Sequence, residues 1–183
     1  MNHDDHVRLL RGGLLSPSGV WADFGSGTGA FTLALAELLG ADARIVSVDK
    51  DASALREQER AMRSRFPNAN VRYVAADFAR PLDLPPLDGL VMANALHFQR
   101  DKERVVQLAK NYLRPDGRFI LVEYNVDAGN MWVPHPLSYA TWESLARRCG
   151  FARTQLLATV PSRFLKEIYS ALSELAEREE ETR

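Results

Sequence analysis

The positions Asp23-x-Gly25-x-Gly27-x-Gly29 carry the first hint of chemistry in this chain. They stand between a mostly apolar run, Val20-Trp21-Ala22-Asp23-Phe24, and the helix-forming run Ala30 to Leu39, so the stretch reads as strand, glycine turn, helix. Glycines at alternate positions give the backbone dihedrals closed to other residues and let a ligand lie against the main chain. The helix that follows aims its first N–H groups at the same place. The turn Gly25-Ser26-Gly27-Thr28-Gly29 therefore predicts a cradle for a nucleotide-like ligand. Gly25-x-Gly27-x-x-Ala30 also satisfies the looser dinucleotide fingerprint, so the glycines alone do not select the ligand. Asp23 narrows the choice, because an acid in a strand buried on both faces is costly unless it meets a cation or several donors. Asp49 follows Gly25 by 24 residues, close to the spacing at which an acid reaches a ribose.

Asp-x-Gly-x-Gly-x-Gly resembles motif I of the class I S-adenosylmethionine-dependent methyltransferases, and the resemblance covers most of the chain. S-adenosylmethionine brings an ammonium to the acid before the glycines, which NAD does not. The resemblance thus implies a cofactor set of Asp23, Gly25, Ser26, Gly27, Thr28, Gly29, Asp49, Lys50, Asp77, Phe78, Asn94 and Ala95, with S-adenosylhomocysteine as product. It gives Asp49 both ribose hydroxyls and Asp77 the adenine amino group, with the Phe78 backbone offered to the ring. A carboxylate beside a free N–H complements an adenine edge, which has one amino donor and one ring acceptor. Simpler roles stay open: Asp49 as a solvated acid in the capping turn before Ala52, Phe78 as pocket lining. Asn94-Ala95-Leu96-His97-Phe98 departs from the Asn or Asp-Pro-Pro-Tyr signature of enzymes that methylate exocyclic amines of nucleic acid bases, and looks like the matching part of small-molecule methyltransferases.

Methyl transfer from a sulfonium needs alignment and, for some acceptors, a base. His97 is the candidate base, since an unperturbed imidazole titrates near neutral pH; a hydrogen-bonded wall residue is the alternative. Tyr124 to Pro136, rich in aromatic and hydrogen-bonding groups, is where acceptor contacts are expected: Tyr124, Asn125, Trp132 and His135, with Glu123, Tyr139 and Arg163 further candidates. Trp132 and His135 lie between prolines, as a stiff lid or as aromatics anchoring their own loop. His3, Asp4 and His6 lack metal-ligand spacing, and no metal is expected. Asp4 or Asp5 reads as the cap of a helix Val7 to Leu10, and Asp51 and Asp83 as surface charges.

The formal net charge of −1 argues against nucleic acid as the main partner. Arg56, Arg60, Arg63 and Arg65 share a helical pattern with Glu57 and Glu59, which suits a solvated face. Cys149 is the only cysteine, so no internal disulfide forms. No leader pattern or run of 18 apolar residues is present, and a cytoplasmic protein acting on a small molecule is expected. The competing classes are a cofactor-binding module or partner subunit without catalysis, and a methyltransferase on RNA or protein. Residues do not reveal which acceptor atom is methylated, nor the oligomeric state.

At 183 residues the chain reads as one α/β domain, 1–183, with an N-terminal helix and lead-in over 1–19 and a charged tail over 177–183. Strands are predicted at Arg44–Asp49, Val71–Ala75, Gly89–Ala93, Arg118–Glu123 and Thr154–Val160, and helices at Ala52–Phe66 and Tyr139–Cys149. Leu113-Arg114-Pro115-Asp116-Gly117 reads as a turn, and Pro81 to Pro86 as a loop with no room for a crossover helix. Residues 164–175 have helical spacing, yet the resemblance asks for a strand near Glu167–Leu172, and the strand is favoured. The resemblance implies a Rossmann-like, mostly parallel sheet of seven strands in the order 3-2-1-4-5-7-6, with helices on both faces.

Overall fold

A computed structural model describes residues 1–14 and 18–176. Along the chain come α1 (His3–Arg11), β1 (Val20–Phe24), α2 (Ala30–Leu39), β2 (Arg44–Asp49), α3 (Ala52–Arg65), β3 (Asn70–Ala75), β4 (Leu87–Ala93), α4 (Lys102–Lys110), β5 (Leu113–Tyr124), α5 (Tyr139–Arg148), β6 (Arg153–Pro161) and β7 (Glu167–Glu174). The strands form one sheet of seven in the order β3-β2-β1-β4-β5-β7-β6. β3 through β5 run parallel, and β7 is antiparallel to both β5 and β6. The tail 177–183 lies outside the described residues, as does 15–17.

Period-two alternation explains how one sheet serves two cores. On β5, Phe119 and Leu121 point into a cluster with Val105, Trp142 and Leu145 from α4 and α5, while Ile120 and Val122 point into another with Leu10, Phe31 and Leu35 from α1 and α2. Helices thus cover both faces, and the parallel strands end together on one side, where α/β sheets bind ligands.

Several local assignments differ from expectation. α1 is longer at its start than Val7–Leu10, and Asn2 is its cap: the Asn2 side chain accepts from Asp5 N–H while Asp5 accepts from Asn2 N–H, a reciprocal capping box. Asp51, exposed as expected, has a job: it caps α3 by accepting from the backbone of Ser53 and Ala54. Leu113 already pairs with Leu87, and Gly89 next pairs with Arg118, so the expected turn over 113–117 is a bulge within β5. The strand favoured near Glu167–Leu172 is present as β7, Glu167–Glu174, because pairing on both sides with β5 and β6 outweighs the helical spacing. α4 was not among the expected elements; its signal is the Asp101 cap with Val105, Val106 and Ala109 on the buried side.

Candidate cofactor and acceptor site

At the end of β1 the chain turns through three glycines with positive φ: Gly25 at 74°, Gly27 at 54° and Gly29 at 91°. A Cβ on Gly29 would overlap the Gln58 side chain, whereas one on Gly27 would meet nothing within 4 Å. Gly29 is therefore required by packing, and Gly27 leaves the approach to the turn clear. The turn is pinned from below. Gly25 N–H and Ser26 N–H both donate to Val48 O, at 2.8 and 3.2 Å. The Ser26 hydroxyl donates to Gln58 Oε1 at 3.3 Å, and the Ser47 hydroxyl lies 2.7 Å from Ser26 Oγ and 3.0 Å from Gln58 Oε1. Asp49 ties the top, Oδ2 accepting from Gly27 N–H at 2.8 Å and Oδ1 from Asp51 N–H at 2.8 Å.

Asp23 is 1% exposed and accepts from the Thr32 hydroxyl of α2 at 2.6 Å. Loss of hydration pushes its pKa up from 3.8 to about 7; the Thr32 bond opposes that rise and the nearby Asp49 charge adds to it. It sits between β1 and α2 and does not line the adjoining cavity.

That cavity, of about 290 Å³, lies at the carboxyl ends of the central strands. Asp49 and Lys50 from the end of β2 and Asp77 and Phe78 from beyond β3 line it. Gly25, Ala76, Asn94, Ala95, Phe98 and Gln99 complete the wall. Asp77 Oδ1 accepts from Ala79 N–H at 2.9 Å, and the Phe78 N–H has no acceptor among the described residues. Among the described residues Asn94 is one of two non-glycine residues with positive φ, at 49°, and its buried Oδ1 has no partner there. A strained backbone that holds an unmet acceptor in a cavity wall marks a place kept for a donor from outside the protein.

Beside this cavity, Leu96–Phe98 form one turn of 3-10 helix, which buries His97 at 3% exposure. Its Nδ1 lies 2.9 Å from Glu123 Oε2 and 3.1 Å from Oε1, and its backbone N–H donates to the same carboxylate at 3.0 Å. Glu123, wholly buried near the end of β5, is the partner that sequence reasoning did not connect to His97; the signal was an acid directly after the apolar run Phe119-Ile120-Leu121-Val122. With Nδ1–H directed at Glu123, the neutral ring carries its lone pair on Nε2, which has no protein partner among the described residues.

The residues expected to contact an acceptor divide. The Tyr124 ring stands 6.1 Å from that of His97. Asn125 is spent on structure, its amide donating to Glu167 at 2.8 Å and its oxygen accepting from Tyr139 N–H at 3.0 Å. His135 is half-buried and its backbone N–H donates to His97 O at 3.1 Å, so it fixes the loop against the 3-10 turn. Trp132 is 69% exposed, on a turn closed by Asn130. His3 is engaged by Glu37 at 2.7 Å, and no group of three metal-binding side chains occurs among the described residues. Nor is any helix among them long and apolar enough to cross a membrane. In the arginine group, Arg63 pairs with Glu59 at 2.6 Å and Arg65 lies over the Phe66 ring.

Comparison with known proteins agrees with this geometry. Residues 16–172 match the family model described as a methyltransferase domain. A ubiquinone/menaquinone biosynthesis C-methyltransferase from Idiomarina loihiensis is 30% identical over 104 residues, 56% of this chain and 41% of that protein. The chain thus spans less than half the length of that relative. The YcgJ protein from Bacillus subtilis superposes with a TM-score of 0.79 at 13% identity, over 96% of this chain and all of that one. The 1,6-didemethyltoxoflavin-N1-methyltransferase of Burkholderia thailandensis, solved with bound 1,6-didemethyltoxoflavin and S-adenosylhomocysteine, superposes with a TM-score of 0.73 at 20% identity, over 95% and 78% of the two chains. Motif, strand order and family match together place the chain in the class I S-adenosylmethionine-dependent methyltransferase family.

Proposed function

We propose that this chain transfers a methyl group from S-adenosylmethionine to a small-molecule acceptor, with His97 receiving the acceptor's proton. The observation that carries this reading is the buried Glu123–His97 pair beside the cavity at the glycine turn. The cavity's residues fit the cofactor. Its unmet Asn94 Oδ1 suits the ammonium of the methionine end, and the carboxylate oxygens of Asp49 retain lone pairs for ribose hydroxyls. Asp77 Oδ2, with the free Phe78 N–H, presents the acceptor and donor that an adenine edge requires. Asp23, accepting from the Thr32 hydroxyl, ties β1 to α2 on either side of the glycine turn.

Bound there, S-adenosylmethionine supplies a methyl group on a sulfonium, an electrophile that needs no activation by the protein. The chain's work is then orientation and proton transfer. Glu123 holds the His97 tautomer with the Nε2 lone pair free, Nε2 takes the proton from the acceptor's hydroxyl or similar group, and the imidazolium is stabilised by the carboxylate already bonded to Nδ1–H. The small-molecule acceptor is supported by the weakly acidic chain and by the pairing of Arg63 with Glu59 on α3.

Calorimetry with S-adenosylhomocysteine and NAD tests cofactor use: the first binds and the second does not, and the reverse would overturn the reading. For the base, His97→Ala should keep S-adenosylhomocysteine affinity within a few-fold while lowering turnover about 100-fold or more. If His97→Asn restores most activity, the residue only orients the acceptor. Loss of cofactor binding and thermal stability together would make His97 structural.

A further inference from the structure

A second cavity, of about 550 Å³, lies beyond Tyr124 at the junction of β5, β7 and the start of α1. Its size is within the range of small-molecule sites. A run of packed rings lies between it and the first: the Phe98 ring in the wall of the first cavity is 4.2 Å from that of His97, His97 is 6.1 Å from Tyr124, and Tyr124 is 6.0 Å from Phe164. Phe164, on the turn between β6 and β7, is 48% exposed and faces this cavity with Pro161 and Ile168. A flat aromatic ligand is what would remove these surfaces from water, and ring stacking adds to the gain.

Charge at the cavity is asymmetric in availability. Arg163 contributes to the wall and makes no ion pair or hydrogen bond among the described residues. The wall also holds Asp5, whose carboxylate already accepts from Asn2 N–H at 3.0 Å and sits in the first turn of α1, where the helix dipole stabilises it. Among the side chains of the wall the uncommitted charge is therefore the guanidinium, whose fork geometry suits a carboxylate.

We infer that the acceptor is an aromatic hydroxy acid: its ring lies against Tyr124 and Phe164, its carboxylate meets Arg163, and its hydroxyl points towards His97. The two ring-to-ring steps from His97 to Phe164 exceed one benzene ring, so the acid is carried on a short side chain. This inference rests on the reading of His97 as base, but the cavity's preference is measurable without turnover.

The probes are 3-(4-hydroxyphenyl)propanoate, its neutral amide and the cationic amine tyramine, titrated calorimetrically with and without saturating S-adenosylhomocysteine. The acid is expected to bind about tenfold or more tighter than the other two, the scale of a hydrogen-bonded charge pair. Arg163→Gln should bring the acid down to the affinity of the amide and leave the amide unchanged. Phe164→Ala should weaken acid and amide alike. Both side chains are exposed, so thermal stability and S-adenosylhomocysteine affinity should hold in both variants. Equal binding of acid and amide, tighter binding of tyramine, no effect of Arg163→Gln, or no binding of any probe overturns the inference. Failure of the wild-type chain to bind S-adenosylhomocysteine would instead overturn the methyl-transfer reading, whatever the acid does.

Discussion

Glu123→Gln keeps the shape of a side chain while removing the charge on which His97 depends. The carboxylate is 0% exposed and accepts from His97 N–H at 3.0 Å, His97 Nδ1 at 2.9 and 3.1 Å and Tyr124 N–H at 3.3 Å. A glutamine offers one oxygen and one NH2 in the same place. With the NH2 at the Oε2 position it faces the Tyr124 N–H and Nδ1; turned over, it faces the His97 N–H. Either way a backbone donor meets a donor. His97 can relieve its own part of the conflict by moving its proton to Nε2, which then donates where it had accepted. The lost charge-assisted bond costs about 1.5–3 kcal/mol. At about 2–4 °C per kcal/mol for a chain of this size, the Tm should fall by roughly 3–12 °C. The tautomer change removes the base, with a loss of about 10²–10⁴ in turnover. Thermal unfolding, an S-adenosylhomocysteine titration and the 15N resonances of His97 measure these effects, and cofactor affinity should be nearly unchanged because Glu123 does not line that cavity. An unchanged Tm with Nδ1 still protonated would refute the account of the pair.

Gly27→Val should fold at a cost of about 1–2 kcal/mol for its φ of 54° yet lose S-adenosylhomocysteine binding, because its Cβ enters the open approach; Gly29→Ala, which overlaps Gln58, should lower the Tm more. Asp49→Ala should weaken S-adenosylhomocysteine about tenfold or more in calorimetry, from lost ribose bonds and a looser Gly27 turn, and unchanged affinity would put the ribose elsewhere. Asp23 gives a pH signature: with a folded pKa near 7 against 3.8, the folded chain holds a proton through that window that the unfolded chain releases. Its contribution to stability therefore falls as pH rises from about 4 to 7, by up to about 4 kcal/mol. Tm measured across that range should decline less in Asp23→Asn than in the wild type, and equal slopes would refute the buried, protonated acid.

The sequence by itself determined the elements whose signals are local. The glycine turn after β1 is written in residues that alone tolerate its dihedrals, and the strand ends carrying Asp49, Asp77 and Asn94 follow from apolar runs that stop at polar residues. Once those strands are parallel neighbours, their ends must converge, so the residues that line the cavity there were legible in the sequence. Tertiary structure decided what depends on partners distant in the chain. Residues 167–174 became β7 because two strands offered hydrogen bonds that periodicity cannot see. Glu123 became the support of His97, 26 positions away, because β4 and β5 pair side by side. Asn125 was drawn from the acceptor group into holding Glu167 and α5, and Arg163 and Phe164 were brought beside Tyr124 by the β6–β7 turn. A residue's type limits the bonds it can make, but only the packing of distant segments decides which of them are left free for a ligand.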